Sequence, residues 1–201
     1  MLAATENSLN GPSLVRVRAL PKNICVLDLE TGGGFPSPVL EIGMVVLDRD
    51  NLVEKGKFSA VVKPDVAVFE VYEACDPYVQ EMHDVNGLWD DLSLATKTVD
   101  EVDAEAAEWL EELCGRSHVA LSGSGVSHFD LRFIREYMPK LDDRLTYWTF
   151  DVGVMRRICH LAGRPDLTPD WGETDKTHRA LDDALVHANE LRHYTALLTD
   201  F

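Results

Sequence analysis

The chain has 201 residues, 45% of them hydrophobic, with 35 acidic against 19 basic side chains and a formal net charge of −16. That composition fits a globular domain with one substantial core and excludes a disordered chain. No basic stripe is visible, which argues against a grip on long nucleic acid and leaves divalent metals, short substrates or solubility as reasons for the acidity.

Residues 1–21 ("MLAATENSLNGPSLVRVRALP") read as a flexible N-terminal arm ending at a proline, and residues 22–201 as a single domain. No charged-then-apolar signal pattern opens the chain, and no apolar run approaches the ~20 residues that span a bilayer, so a cytoplasmic protein with no membrane contact is expected. The scattered Cys25, Cys75, Cys114 and Cys159 show neither C-x-x-C nor zinc spacing and read as reduced, buried thiols.

Three strand-like segments come first: "NICVLDLE" (23–30), "VLEIGMVVLD" (39–48) and "KFSAVVK" (57–63). Thr98 and Glu101 form a capping box for a helix through about Cys114, with Val102, Ala106, Trp109 and Leu113 as its apolar stripe and its acids on a solvated face. A fourth strand, "HVALSG" (118–123), leads into "SHFDLRFIREYMPKL", where Leu131, Ile134 and Met138 keep helical spacing. "DVGVMRRICHLAG" reads as a helix closed near Gly163. A last helix runs from about His178 to Leu198 and buries Leu181, Leu185, Ala188 and Leu191. Strands followed by strands mixed with helices imply a sheet covered by helices.

One pattern resists a purely structural reading. In extended chain, Ile24, Val26, Asp28 and Glu30 share one face, so two apolar side chains and two like charges point the same way. Asp130 stands where the fourth strand passes into a helix, and Asp182 and Asp183 lie early in the last helix. Strand ends and helix starts are where sheet-based folds gather site residues. Crowded carboxylates need neutralising, and Mg²⁺ or Mn²⁺ takes such hard oxygen ligands. Four carboxylates balance two such ions, which together activate a water and stabilise the leaving oxygen in phosphoryl transfer. A histidine can take the water's proton, and His178 is the candidate. On a continuous helix it would share a face with Asp182; from a loop before the helix it would meet Asp183. Spacing leaves both open.

With D-x-E in a strand, F-D at a later helix start and H-x4-D near the end, the chain resembles the DEDDh 3′-to-5′ exonucleases. The resemblance implies an α/β fold, a ribonuclease H-like mixed β-sheet flanked by α-helices, and two metal ions. It carries the catalytic roles to Asp28, Glu30, Asp130, His178 and Asp183, preferring Asp183 over Asp182. "HDVNGL" (83–88), "YMPKL", "FDVGVMRRI" and "THRALDD" through "ELRHYTALL" resemble the oligoribonuclease branch, so that the likeness covers about 23–198. Gly32 stands where that family has a threonine, and Gly125-Val126 where an H-N pair often precedes F-D. "TYWTFD" replaces H-Y-R-N-L-D, keeping Tyr147 but putting Trp148 where an arginine helps cap the substrate's 5′ phosphate across a homodimer.

The glycines after the acids, Gly32, Gly33 and Gly34, let a nucleotide's sugar and terminal base approach the backbone, and Phe35 can stack on a base. A flexible turn is the alternative. His83 is either a substrate contact or a packed histidine, while Trp89, Trp109 and Trp171 read as packing.

The expectation is therefore a homodimeric, Mg²⁺- or Mn²⁺-dependent exonuclease. It would release 5′-mononucleotides from the 3′ ends of short single-stranded RNA, with Gly33, Gly34, Phe35, His83, Tyr147 and Trp148 at the substrate. The same chemistry on DNA, as in proofreading or trimming nucleases, is the alternative, since no motif reads the 2′-hydroxyl. A catalytically dead binding module would be expected to lack one of the five catalytic residues. A calcium-binding structural protein would need a contiguous oxygen-rich loop, which is missing.

Overall fold

In the computed structural model, residues 20–169 and 177–199 are described. Most of the arm expected over 1–21, and Trp171, lie outside them. In chain order the elements are β1 (Asn23–Thr31), β2 (Val39–Asp48), β3 (Glu54–Val61), α1 (Val68–Ala74), α2 (Pro77–Val85), α3 (Leu88–Leu94) and α4 (Val99–Cys114). β4 (Val119–Gly123), α5 (Asp130–Tyr137), α6 (Pro139–Asp142), β5 (Leu145–Asp151), α7 (Val152–Leu161) and α8 (Ala180–Thr199) follow.

The strands form one mixed sheet in the order β3-β2-β1-β4-β5. β1 and β2, and β2 and β3, pair antiparallel, while β4 runs parallel to both β1 and β5. β2 is buried along nearly its whole length, which explains why it reads as an almost unbroken apolar run. β1 divides its side chains between two layers. Cys25, Leu27 and Leu29 pack with Val102, Ala106 and Leu110 of α4 and with Ile134 and Met138 at α5. Ile24 and Val26 pack with Ala184 and Ala188 of α8. Helices thus cover both faces, as expected of this fold class.

α4 carries the expected capping box: Glu101 N–H donates to Thr98 Oγ1, and Thr98 N–H to the Glu101 carboxylate. Its acids are not all solvated, however. Asp103 is buried, because its carboxylate accepts the N–H groups of Lys140 and Leu141 at 3.1 and 2.8 Å, at the open start of α6. Leu131, Ile134 and Met138 are buried as their spacing predicts. The helix breaks at Met138, ahead of Pro139, because proline cannot supply the N–H that would continue it.

Three features depart from the sequence reading. β5 is a strand where the sequence shows only a motif, and α1–α3 fill a stretch in which the sequence shows no regular pattern. The last helix begins at Ala180, leaving His178 in the preceding loop. All four cysteines are free thiols, three of them buried. Among the described residues, no helix is long and apolar enough to cross a membrane.

Candidate active site

Asp28 and Glu30 occupy the face of β1 that α8 covers, continuing the row begun by Ile24 and Val26. Two features bring the start of α8 down onto that row. The helix presents Ala180, Ala184 and Ala188, one residue per turn on a buried face. Opposite Asp28 in β2 stands Gly43, where an added Cβ would lie 2.2 Å from the backbone of Ala180 and Leu181. No other residue leaves room for this approach. The result is convergence. Ligand atoms of Glu30, His178 and Asp183 lie within 4.8 Å of one another, although they come from a strand, a loop and a helix. Asp182 turns elsewhere, its carboxylate accepting a hydrogen bond from Thr177 Oγ1 at 3.0 Å. The loop position of His178 is what joins it to Asp183.

Asp130 arrives from the other side of the strand. The parallel ladder between β1 and β4 runs only from Ile24 to Val26, so β1 beyond that point has an open edge. Asp130, first residue of α5, takes up that edge by accepting the Leu29 N–H at 3.1 Å. Its carboxyl is nearly fully buried, and burial pushes its pKa up to about 7, with the charge of Asp151 adding to the effect. Burial also acts to raise Asp151, but there hydrogen bonds from Gly125 N–H, Ser127 and Val154 N–H outweigh it and hold the group below the usual carboxylate range. Of these two acids, Asp130 is therefore the more easily protonated.

Two buried histidines complete the surroundings. His83 has no exposed surface; its Nε2 is 3.8 Å from Glu30 Oε2 and its ring packs edge-on against Trp89. Burial, aided by neighbouring His178, pushes its pKa down, so the ring is neutral at neutral pH. It faces the Glu30 carboxylate instead of an open cleft. His187, which the sequence reading passed over, lies one turn after Asp183 with Nδ1 3.7 Å from Asp28 Oδ1. Its i+4 spacing from Asp183 was the available signal.

The other expected substrate residues are distributed unevenly. Gly33 and Gly34 lie just beyond the end of β1, after Gly32, and a Cβ at either would meet nothing within 4 Å. Gly33 has φ 126°, and its carbonyl accepts hydrogen bonds from Thr31 Oγ1 and Ser37 Oγ at 2.8 and 2.9 Å. Phe35 is half-buried, edge-on to Phe133 at 5.4 Å and covered by the Arg132 guanidinium at 4.6 Å. Tyr147 and Trp148 stack on each other at 5.0 Å on the outer strand β5. The next residue, Thr149, pairs with Leu121, which is itself level with Cys25, five residues before Glu30, or about 16 Å along the strand. Within one chain they do not reach the acids.

Converging carboxylates with an imidazole beside them are a hard oxygen donor set suited to divalent cations of the magnesium and manganese kind. Residues 25–191 match the family model described as Exonuclease (RNase_T). The chain belongs to the exonuclease family. It is similar to the oligoribonuclease of Neisseria meningitidis serogroup A, 27% identical over 86% of this chain and 90% of that protein. The oligoribonuclease of Pseudomonas aeruginosa strain PAO1 is 29% identical over 87% and 94%. Among solved structures, the nuclease domain of 3′hExo, a DEDDh family member bound to rAMP, superposes with a TM-score of 0.57 at 18% identity, covering 92% of this chain and 95% of that one. E. coli exonuclease I in complex with a dA13 oligonucleotide gives 0.61 at 14% identity, over 87% and 40%. These two show the shared fold. The exonuclease is thus an oligoribonuclease-like hydrolase.

Proposed function

We propose that this exonuclease, one domain over residues 22–201, removes 5′-mononucleotides from the 3′ ends of short single-stranded RNA. In this reading Asp28, Glu30, Asp130 and Asp183 hold two Mg²⁺ or Mn²⁺ ions and His178 is the general base. The observation that carries it is the meeting of Glu30, His178 and Asp183 within 4.8 Å on the face of β1 that also bears Asp28. Bound there, two cations supply an activated water and charge stabilisation at the leaving oxygen. The protein's own groups do the rest. Asp130, in its carboxylate form, would be one of the ligands. The open backbone at Gly33 and Gly34 receives the terminal sugar, with Phe35 beside its base. His178 takes the proton of the attacking water as the P–O3′ bond breaks.

A homodimer is part of this reading. Val154, Ile158 and Leu161 form an exposed apolar stripe on α7, Leu161 being 90% accessible, with Leu198 of α8 also exposed. Tyr147, 69% accessible, comes near an active site only if a second chain brings it. The acidic surface suits short substrates, which make few phosphate contacts.

The test is digestion of 3′-end-labelled RNA and DNA oligomers of two to ten nucleotides with magnesium, manganese or chelator. Labelled mononucleotide as the first product, metal-dependent and faster from RNA, is the expected result. Internal cleavage, or full activity in chelator, would overturn the reading. A clear preference for DNA would transfer it to the deoxy substrate.

A further inference from the structure

His178 holds a backbone conformation that its side chain does not favour. Its φ of 52° lies in the left-handed region, which persists at a non-glycine residue only where the surroundings over-determine it. The restraint comes from the next residue. Arg179 donates from Nε and Nη2 to the two carboxylate oxygens of Glu41 in β2, at 3.1 and 2.9 Å. The same Nη2 is 2.7 Å from Asp91 Oδ2 in α3, and Nη1 reaches the Asn86 carbonyl at 3.5 Å. Glu41 also accepts the N–H of Ala180, the first residue of α8, at 3.0 Å. The Asn86 side-chain amide donates to the His178 carbonyl. The main chain at 178–180 is therefore tied to β2, to α3 and to the segment between α2 and α3.

Charge adds a second reason for this fork. Glu41 is the direct cross-strand partner of Glu30 and is itself buried. Two facing carboxylates repel, and a buried one without a partner is costly. A two-toothed guanidinium–carboxylate pair neutralises Glu41 and sets its direction, leaving Glu30 to face His178 and Asp183.

We propose that Arg179 is a positioning residue for the hydrolysis: clamped between Glu41 and Asp91, it fixes the His178 backbone so that the ring stands beside Glu30 and Asp183. The proposal rests on the reading of His178 as general base. A merely structural ion pair would lower stability and act independently of His178, whereas a positioning clamp loses its effect once the histidine is gone.

The test is a double-mutant cycle on a short RNA at saturating magnesium, using Arg179→Ala, His178→Ala and both together, with kcat, KM and Tm measured for each. Arg179→Ala is expected to lower kcat by about tenfold or more with KM within about threefold, and to lower the residual rate of His178→Ala by less than about twofold. Arg179→Lys, which keeps the charge but loses the fork, is expected to recover only part of kcat. A kcat within about twofold of wild type in Arg179→Ala, or an equal loss with and without His178, overturns the proposal. If Arg179→Ala does not fold, Arg179→Lys and Glu41→Gln decide: unchanged kcat in both overturns it, and a loss that vanishes in the His178→Ala background supports it. A fully active His178→Ala would instead sink the base reading and this proposal with it. Full activity of Arg179→Ala beside an inactive His178→Ala would sink the positioning role alone.

Discussion

At the residue scale the site is a set of acids drawn from different elements, and burial acts strongly on Asp130. Its folded-state pKa, about 7 against an ordinary 3.8, means that the folded protein binds this proton more tightly than the unfolded chain does. The metal-free protein should therefore lose stability as pH rises from about 4 through 7, and Asp130→Asn should flatten that loss and be the more stable variant at neutral pH. Denaturant unfolding of both proteins in chelator at several pH values checks this; a wild type as stable at pH 8 as at pH 5 would count against it. His178→Ala should lose about 10²–10⁴-fold in kcat while keeping its metal affinity. Asp182→Ala should stay within about threefold of wild type, since its carboxylate bonds Thr177 and not the cluster. An inactive Asp182→Ala beside a normal Asp183→Ala would mean that the helix meets the strand in another register. The acids were legible in the sequence because alternation placed Asp28 and Glu30 on one face. The choice between Asp182 and Asp183 came from the resemblance and not from spacing, because it depends on His178 leaving the helix through a left-handed backbone step that no residue-type preference announces. His187 was passed over for a similar reason: an isolated histidine shows its meaning only when the strand beneath it is known.

At the scale of elements, what makes the site is the contact between α8 and the β1–β2 pair. Gly43→Ala drives a methyl group into the backbone of Ala180 and Leu181, where no flexible side chain can yield. It should cost about 3 kcal/mol or more in stability. It should also lower activity well beyond what residual unfolding explains, because His178 and Asp183 move with the helix. Thermal unfolding together with kcat on the folded fraction tests this; unchanged values would show that the helix start is not seated as described. Strands β1–β4 were readable as runs rich in β-branched residues bounded by turn residues, and helices α4, α5 and α8 because their apolar residues recur at helical spacing. β5 was not, because its residues are mostly half-buried on an outer strand and show no alternation. α1 and α3 have seven residues each, too short for a helical period to stand out, and they fold as packing around Leu40 and Trp89.

At the scale of the whole molecule, the outer strand and α7 carry what one chain leaves unused. Replacing Ile158 and Leu161 with glutamate changes exposed positions, so folding should be unaffected, while the proposed dimer, followed by light scattering, should become a monomer. A monomeric wild type would remove the basis for assigning Tyr147 to a neighbouring active site. Trp148 is half-buried against the α8 side of the sheet and offers one donor and no charge, so it does not replace an arginine at a 5′ phosphate. Activity should extend over several short lengths with at most a modest preference for dinucleotides. Values of kcat/KM on RNA of two, three, five and ten nucleotides measure this, and a steep fall beyond two would show that other residues form the cap. Trp148→Arg is a poor reverse test, since removing a packed indole also costs stability.

The central claim is that four carboxylates from three elements act as one metal site, and the most direct measurement is the number of Mn²⁺ ions bound per chain in the presence of product mononucleotide. Two per chain are expected for the wild-type protein, falling in each of Asp28→Ala, Glu30→Ala, Asp130→Ala and Asp183→Ala together with loss of turnover and without loss of fold. A wild type that binds no Mn²⁺, or a folded carboxylate variant that keeps both ions and its activity, would contradict the account.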